Sequence, residues 1–591
     1  MNYKSGKLSW PLVVSLLTMI VFPLAVQAEK QLPNILIILA DDMGWADPGV
    51  FGSEIETPNI DQFAKEGVRF TDFYTNPMCT PTRVTLMSGL DHHVAGAGSM
   101  TLFTAPNQQG KPGYEGWLLP EFKTLGDVMQ EAGYETYVTG KWDLGRFPEL
   151  IPRARGFDRD FVMLDSHGSH YNMTNLYADN PKLVFTEDGK YLSRLPDDYY
   201  SSKTFTDKMI SFIDDGRKSG KPFFAFLSYQ APHDPHHVDE PWRSMYQGVY
   251  DKGWTYFHRQ RFQTQKEEGL LPDGVELAER YWYLPDSEIL SPVVRATVGR
   301  HMELYAGMMT NMDYHIGRLV QFLKDIGEYD NTIIVFFGDN GPEGNNTFEA
   351  ITAPGLANNI FRARNWSEEH HINVLGTPNS YPEYGAGWAQ VSTTPFYGHK
   401  SYPSEGGIRN SLIVKMPGSE LADGSIRGDF MHVSDIMPTL TELTGQKFPN
   451  GKATGKSWLG IFKDPDSQVR SEDDWVGWEI MGAMALRKGN WKIINNWRPY
   501  GTGEWQLYNL ENDWAERHDL ARERPELLKE LVALYENEYM PDNNIILPNR
   551  AVSESLWNTM PVRFPQYDNY PPGMYRKQYI PPADMVAEPK E

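Results

Sequence analysis

The stretch Ile35-Leu36-Ile37-Ile38-Leu39-Ala40, followed directly by Asp41-Asp42, decides how the chain is interpreted. Six consecutive apolar residues without polar alternation are typical of a strand that is buried on both faces. Such strands occur in the parallel sheets of α/β proteins, where ligands bind beyond the carboxyl ends of the strands. Asp41 and Asp42 stand at that position, so they are the first candidate site residues.

Further segments have the same buried-strand character, at 134–138, 223–229, 332–337 and 412–414. Helical periodicity lies between them, over 59–66 and 300–326, and a glycine closes each of these two segments. Buried strands that alternate with helices predict an α/β fold, in which a large mixed, mostly parallel sheet is sandwiched by helices.

After about residue 463 the pattern changes to short strands without long crossovers, at 475–478, 483–487, 491–494 and 505–510. They predict a small antiparallel sheet, followed by a helix over 525–539 with proline at its first turn. We therefore divide the chain into a main domain, 29–462, and a smaller C-terminal α+β subdomain, 463–591, whose extended tail is rich in Pro and Tyr.

The first 28 residues have the features of a cleaved signal peptide. Lys4 and Lys7 precede an apolar run over 10–25, and Val26-Gln27-Ala28 supplies small residues for cleavage. A membrane anchor is the alternative, but the run is short for a spanning helix and Pro23 interrupts it. We expect an exported protein with no membrane span in the mature chain.

The composition excludes several classes of protein. The 591 residues are 40% hydrophobic, which excludes a disordered chain, and the net charge of −23 argues against a nucleic-acid partner. Cys79 is the one cysteine, so no internal disulfide can form even in an oxidising compartment. Its thiol is therefore buried and inert, paired with another chain, or present for its chemistry.

The local sequence favours chemistry for Cys79. In Cys79-Thr80-Pro81-Thr82-Arg83, the proline suits a first helical turn, so we expect a helix that begins near Pro81 and continues over 82–88, with Cys79 beside its N-terminus. Helix N-termini attract anions, and Arg83 can bind an oxyanion through two hydrogen bonds. These residues alone predict an activated cysteine nucleophile at a site for anionic substrates, and a phosphatase-like thiolate fits them as well.

A second acidic pair follows the strand at 332–337, in Gly338-Asp339-Asn340-Gly341. The carboxyl ends of parallel strands share one edge of a sheet, so these residues could meet Asp41 and Asp42 in one crevice. Three carboxylates and an amide oxygen suit Ca²⁺ or Mg²⁺ rather than zinc. Turn formation is the alternative explanation for either pair alone.

The chain resembles the sulfatase family of the alkaline phosphatase superfamily. The signature is Cys-Thr-Pro-Thr-Arg at 79–83 with Ser88-Gly89 downstream, and further motif matches follow in order at 40–44, 140–142, 231–233, 338–341, 405–409 and 505–510. The matches cover nearly all of the mature chain. At 89–96 and 112–116 the sequence is similar to bacterial formylglycine-dependent arylsulfatases.

The resemblance implies that 29–462 is a catalytic sulfatase domain, which hydrolyses sulfate esters to an alcohol or phenol plus inorganic sulfate. In this family a maturation enzyme oxidises the motif cysteine, here Cys79, to formylglycine (3-oxoalanine), whose hydrate attacks sulfur and later expels sulfate. One Ca²⁺ would be held by modified residue 79 together with Asp41, Asp42, Asp339 and Asn340. The resemblance to bacterial enzymes implies a periplasmic or extracellular location.

The resemblance also implies roles for the cationic residues, whose preorganised charges would stabilise the transition state. Arg83 would steady the hydrate and Lys141 would bind oxygens on the metal side. His233 would contact the sulfate and protonate the leaving oxygen, and Lys400 would share that task. Taken singly, the two lysines read as surface residues and His233 as a turn residue.

One motif departs from the family pattern Gly-Lys-Trp-His-Leu-Gly, because this chain has Asp143 in the histidine position of 140–145. In the family this histidine is a candidate base. Asp143 can still accept a proton, so it stays a candidate catalytic residue, but it is shorter and adds negative charge beside a sulfate. We expect slower turnover or a shifted pH optimum.

Two alternative functions remain open at this point. A phosphodiester or phosphonate monoester hydrolase of the same superfamily can also use formylglycine, and a catalytically impaired relative could bind sulfated glycans. The sequence leaves open the natural sulfate ester, the choice between Ca²⁺ and Mg²⁺, and the oligomeric state.

Overall fold

The computed structural model describes residues 1, 6–7, 32–175, 182–282, 284–344, 374–378, 380, 382–498, 500–549 and 586–587. The predicted signal peptide, apart from three residues, and the C-terminal tail, apart from 586–587, lie outside the described residues. The expectations about both segments therefore stay predictions.

The main sheet carries the candidate site. Its strands are, in chain order, β1 Asn34–Ala40, β2 Val68–Tyr74, β3 Glu135–Lys141, β4 Arg159–Met163, β5 Phe185–Glu187, β6 Lys190–Leu192, β7 Phe223–Ser228, β8 Thr332–Gly338, β9 Arg409–Lys415, β10 Ile426–Arg427, β11 Met431–His432 and β16 Val586–Ala587. Their order is β10-β2-β9-β8-β1-β7-β3-β4-β5-β6-β16, and β11 also pairs with β2.

The centre of the sheet, β8-β1-β7-β3-β4, is wholly parallel, while β9 runs antiparallel to both β2 and β8. All seven residues of β1 are buried, although alternate side chains of a strand point to opposite faces. Both faces of the sheet are therefore covered, as the apolar run predicted. The predicted fold class is confirmed, with β9 longer than the predicted segment 412–414.

The helices are α1 Pro58–Lys65, α2 Cys79–Ser88, α3 Leu125–Glu131, α4 Ser201–Gly216, α5 Trp242–Met245, α6 Trp254–Glu267, α7 Pro292–Asp325, α8 Gly385–Ser392, α9 Glu405–Ile408, α10 Ile436–Thr444, α11 Pro525–Leu534 and α12 Met540–Asp542. In α7, Ser291 caps the helix and Pro292 occupies its first turn. Its apolar residues recur every three or four positions and join the main core with those of β1. No described helix has the length and apolar character that crossing a membrane would require.

A second, antiparallel sheet is built from β12 Trp475–Ile480, β13 Ala483–Lys488, β14 Trp491–Asn495 and β15 Gln506–Asn509, in that order. Helix α11 follows and continues into a π-helical turn over Tyr535–Tyr539, which confirms the predicted sheet and helix. Trp478 Nε1 donates to the Thr75 carbonyl across 2.9 Å, beside the segment that leads to Cys79. The domain division at 462 stays a prediction.

A buried network of charges joins the two sheets, and we call it the junction network. Arg487 on β13 donates to Asp72 of β2 at 2.8 Å, and Arg409 lies 3.2 Å from the same carboxylate. Lys492 on β14 lies 2.7 Å from Glu405 and 2.8 Å from Glu516. The network thus matches three carboxylates with three cations, and none of the six side chains is more than 9% exposed.

A second buried contact between the sheets centres on His93, in the turn after α2. Its Nδ1 lies 2.8 Å from Asp91 Oδ1 and its Nε2 lies 2.8 Å from Glu479 Oε2 on β12. Burial would lower the pKa of His93, but the carboxylate of Asp91 and then that of Glu479 outweigh it and raise the pKa to about 9. The imidazolium therefore forms an ionic link between the turn after α2 and the second sheet.

Candidate active site

The candidate site lies where the parallel strands of the main sheet end. Ala40 of β1 pairs with Gly338 of β8, so the residues that follow, Asp41-Asp42 and Asp339-Asn340, leave the sheet side by side. The Asp42 N–H donates to Asp339 Oδ1 across 3.1 Å. The structure thus brings the two acidic pairs into one crevice.

Cys79 faces this carboxylate cluster. Helix α2 begins at Cys79, two residues before Pro81, so the cysteine itself belongs to the first helical turn. Its Sγ lies 3.3 Å from Asp41 Oδ1 and 3.7 Å from Asp42 Oδ1, and the residue is only 1% exposed. Burial, then the carboxylates of Asp339 and Asp41, hold the pKa of the thiol well above its usual range. These surroundings do not favour a phosphatase-like thiolate.

Arg83 and Lys141 hold the carboxylates in place. Arg83 Nη2 lies 2.8 Å and its Nε 3.1 Å from Asp339 Oδ2, and its Nη1 donates to the Lys141 carbonyl across 2.9 Å. Lys141 is the last residue of β3, and its Nζ donates to Asp41 Oδ2 across 2.7 Å. Both cations are fully buried in the structure, which corrects the surface reading of Lys141 taken by itself.

His233 and Lys400 approach from the other side, around Asp42. Lys400 Nζ donates to Asp42 Oδ2 across 2.8 Å and lies 3.3 Å from His233 Nε2. His233 follows β7, and its Nδ1 lies 2.8 Å from Asp234 Oδ1, which leaves Nε2 directed at the cluster. Burial would lower the pKa of His233, but the carboxylates of Asp42, Asp234 and Asp41 together outweigh it and the pKa rises to about 9. Lys400 is also buried and paired, not a surface residue.

Negative charge exceeds positive charge in the described part of this site. Three cations, Arg83, Lys141 and Lys400, and the His233 imidazolium face six carboxylates, which belong to Asp41, Asp42, Asp143, Asp234, Asp339 and Glu343. Burial and then the carboxylate of Asp339 raise the pKa of Asp41 to about 6. Burial likewise raises the pKa of Glu343, which lies 3.3 Å from Lys400. A divalent cation would offset the excess.

The side chains present fit such a cation. Ligand atoms of Asp41, Asp42, Cys79 and His233 all lie within 4.8 Å of one another. Asn340 is fully buried, and its Oδ1 accepts no hydrogen bond, although a buried amide oxygen is normally satisfied. Oxygen atoms of Asp41, Asp42, Asp339 and Asn340 are the donor type that Ca²⁺ and Mg²⁺ prefer. An oxygen carried by residue 79 would stand beside them.

Asp143 lies close to the nucleophile position but is held by hydroxyl groups. Thr80 donates to its Oδ2 across 2.7 Å, and Ser166 donates to its Oδ1 across 2.5 Å. Asp143 has a φ of 56°, in the left-handed region that aspartate tolerates better than most residues. Both carboxylate oxygens are therefore occupied, and the catalytic role of Asp143 stays a prediction.

Several residues that line the site were missed at the sequence level: Thr80, Ser166, His167, Ser228, Asp234 and Glu343. Three of them follow recognised segments directly, since Asp234 comes after His233, Glu343 after the Asp339-Asn340 turn and Thr80 after Cys79. Ser166 and His167 were missed because β4 was not predicted as a strand. The apolar run 161–164 followed by Asp165-Ser166-His167 is the signal that would have found them.

Known proteins share this sequence and this architecture. The sequence model of the sulfatase family matches residues 33–446. An uncharacterised sulfatase of Schizosaccharomyces pombe is 37% identical over 90% of this chain and 97% of its own length. An arylsulfatase of Klebsiella aerogenes is 34% identical over 71% of this chain and 88% of its own. The crystal structure of Ps i-CgsB superposes with a TM-score of 0.62 at 25% identity, covering 91% of this chain and 99% of that one.

The fold and the site define a hydrolase of the alkaline phosphatase superfamily. The chain belongs to the sulfatase family, as the motifs at 79–83 and 338–341 suggested. Its reaction is the hydrolysis of sulfuric esters, and its substrates are sulfate esters.

Proposed function

We propose that the chain is an arylsulfatase-type enzyme that works through formylglycine at residue 79 and one bound Ca²⁺. One observation carries the proposal: the Cys79 side chain heads α2 with its Sγ 3.3 Å from Asp41 and 3.7 Å from Asp42. A thiol in that place is poorly ionised, whereas an oxygen there would join the oxygen ligands of a cation. The arylsulfatase of Klebsiella aerogenes supports the same class of reaction.

The two implied groups supply an oxygen nucleophile at residue 79 and a divalent charge that polarises it and offsets the sulfate oxygens. The chain supplies the scaffold for both. Arg83 fixes Asp339 and Lys141 fixes Asp41, so neither carboxylate has to reorganise when substrate arrives. Such preorganised charge is where enzymes gain most of their electrostatic stabilisation.

His233 and Lys400 are the residues placed to act on the substrate. Their Nε2 and Nζ atoms lie 3.3 Å apart, a spacing at which both can bind oxygens of one sulfate group. Asp234 holds His233 Nδ1, so the ring presents Nε2 to the ester oxygen. His233 would then donate a proton to the leaving alkoxide or phenoxide, and Lys400 would stabilise its charge.

Assays on two ester classes distinguish this proposal from the alternatives. The enzyme should hydrolyse 4-nitrophenyl sulfate faster than bis(4-nitrophenyl) phosphate. Faster cleavage of the phosphate diester would instead favour the phosphodiester or phosphonate monoester hydrolase. Binding of sulfated glycans without hydrolysis of any sulfate ester would favour the impaired glycan-binding relative.

The mechanism itself is tested at residue 79. Intact-mass and peptide-mass measurements of active enzyme should show the Cys79 side chain converted to an aldehyde or its hydrate. Cys79→Ala should lose the activity while keeping its melting temperature within a few degrees. Full activity in protein that carries only an unmodified thiol would overturn the proposal.

The remaining expectations are part of the same proposal. A formylglycine-generating maturation enzyme would have to act on Cys79, since no other cysteine is present. The N-terminal segment 1–28 would direct the chain to a bacterial periplasm or outside the cell. Cell fractionation with an antibody against the mature chain tests that location, and recovery of the uncleaved chain in the cytoplasm would contradict it.

A further inference from the structure

The loop that follows β4 reaches the candidate active site. Strand β4 lies parallel to β3, so its carboxyl end opens at the same edge of the sheet as the ends of β1, β7 and β8. His167 stands four residues beyond Met163, the last residue of β4. No motif of the family resemblance includes this position.

His167 lies directly against a residue that faces the substrate. Its ring stacks on that of His233, with centroids 5.6 Å apart and ring planes 1° from parallel. The charges that act on it belong to His233, Asp234, Lys141 and Lys400, all of them residues of the site. His167 is half-buried, and its Nε2 atom is shielded from solvent.

Hydrogen bonds fix the backbone on both sides of His167. Ser166 donates to Asp143 across 2.5 Å, and Gln230 Nε2 donates to the Gly168 carbonyl across 2.6 Å. Further along, His170 Nε2 lies 3.1 Å from the His233 carbonyl oxygen. These hydrogen bonds tie the loop to the site on both sides of His167.

Asp143 connects this loop to the nucleophile. Its two oxygens accept from Thr80, next to Cys79, and from Ser166, next to His167. A neutral imidazole has only one acceptor nitrogen, so a histidine at 143 could not accept both hydroxyl hydrogen bonds. Asp143 therefore suits a site in which the histidine comes from a different segment, the loop after β4.

We propose that His167 is a catalytic residue that takes the place of the histidine missing at 143, and that Asp143 and Ser166 are its positioning residues. The proposal rests on sulfate ester hydrolysis at the Cys79 site. At neutral pH, a sulfate monoester and water yield the alcohol, SO₄²⁻ and one proton. His167 binds a sulfate oxygen, accepts that proton and passes it to solvent.

The electrostatic surroundings agree with this role. Burial, then His233, Lys141 and Lys400, hold the pKa of His167 well below its usual range, against the opposing effect of Asp234. The ring is therefore neutral and can accept a proton. Sulfate bound among the same cations offsets their charge, which raises the proton affinity of the ring when product forms.

Kinetics of His167→Ala and His167→Gln test the role, with 4-nitrophenyl sulfate as the probe. We expect kcat to fall about 10²-fold or more, the usual contribution of a general acid or base, and the acid limb of the kcat–pH profile to be lost. The exposed His518, which pairs with Glu276, provides a control as His518→Ala. Unchanged kcat in folded His167 variants of an active enzyme would overturn the proposal, whereas an inactive wild type would overturn the proposed function instead.

Binding of inorganic sulfate to unconverted Cys79 protein gives a readout that does not need activity. Loss of one hydrogen bond to a charged group should weaken sulfate about 10-fold or more in His167→Ala, measured by titration calorimetry. Wild-type affinity in that variant would contradict direct contact with sulfate. Melting temperatures show whether each variant is folded. If His167→Ala does not fold, the sulfate titration is carried out with His167→Gln instead.

A double-mutant cycle tests the positioning residues. Ser166→Ala should lower kcat with little change in KM, and Ser166→Thr, which keeps the hydroxyl, should restore it. In the His167→Ala background, Ser166→Ala should cost no further activity, because it acts through the ring. Additive losses would show that Ser166 acts independently of His167 and would overturn that part of the proposal.

Discussion

The active site and the junction network are both buried clusters of charged side chains, but they differ in how the charges are paired. In the junction network Asp72, Glu405 and Glu516 each face a cation, and acids and bases are equal in number. In the active site the carboxylates of Asp41 and Asp42 converge on one sulfur atom. Each carboxylate of the junction network has a cation beside it, whereas carboxylates outnumber cations in the active site.

The comparison shows that buried charge alone does not mark a functional site. A buried ion pair often contributes little net stability, because desolvation opposes the attraction. What distinguishes the active site is the convergence of the Asp41 and Asp42 carboxylates on one side chain, beside the Asn340 amide oxygen that accepts no hydrogen bond. Matched aspartates, Asp42 and Asp72, allow the two clusters to be compared directly.

The largest expected difference is in catalysis. Asp42→Asn should lower kcat/KM at least about 10³-fold, because it removes a cation ligand and the partner of Lys400 and His233. Asp72→Asn should leave kcat of the folded protein unchanged. Steady-state rates measured at a fixed folded concentration check both, and equal losses in the two variants would contradict the distinction.

The next largest effect is on stability, in the other cluster. Arg487→Met should lower the free energy of unfolding by about 3–5 kcal/mol, because it removes one of the two cations, Arg487 and Arg409, that compensate the buried Asp72. Its kcat should not change. Denaturant unfolding measures the loss, and Lys488→Met, at the neighbouring position on a half-exposed side chain, is the control that should lose far less.

A smaller effect should depend on pH through His93. Its folded pKa, about 9, lies above the unfolded value near 6.5, so its contribution to stability is complete below about pH 6.5 and disappears as the pH rises through 9. The loss should reach about 3 kcal/mol. Melting temperatures from pH 6 to 10 measure it, and His93→Gln should flatten the decline. An equally steep decline in that variant would assign it to other groups.

The smallest effect is the stabilisation by the metal itself. Ca²⁺ at 100 times its Kd should stabilise the folded protein by about 2.7 kcal/mol. The rise in melting temperature should persist in Arg487→Met and shrink in Asn340→Ala, which removes one oxygen ligand. If Ca²⁺ raised the melting temperatures of Arg487→Met and Asn340→Ala equally, the ion would not be bound by Asn340.

The sequence was most informative where burial and motif agree. β1 and β8 are continuous apolar runs that end in acidic pairs, so both the sheet and the crevice could be predicted. The family motifs then located Arg83, Lys141, His233 and Lys400. These four residues meet at the site only because their strands and loops end at one edge of the sheet.

The rest could not be predicted because it depends on contacts between distant segments. β4 is only five residues long and starts with Arg159-Asp160, so its pattern is weak and His167 was not identified. The partners of Asp143 come from helix α2 and from the loop after β4. The burial of Lys141 and Lys400 likewise follows from tertiary packing, which no local pattern contains.

The hydrogen bond from Trp478 to the Thr75 carbonyl has a consequence for synthesis, because 403 residues separate its partners. At ribosomal rates of about 5–20 residues per second, the second sheet emerges roughly 20–80 s after the segment around Cys79. During that interval the segment around Cys79 is not yet in contact with the second sheet. The maturation enzyme proposed for Cys79 would therefore have a time window set by translation, and slower elongation between the two segments would widen it.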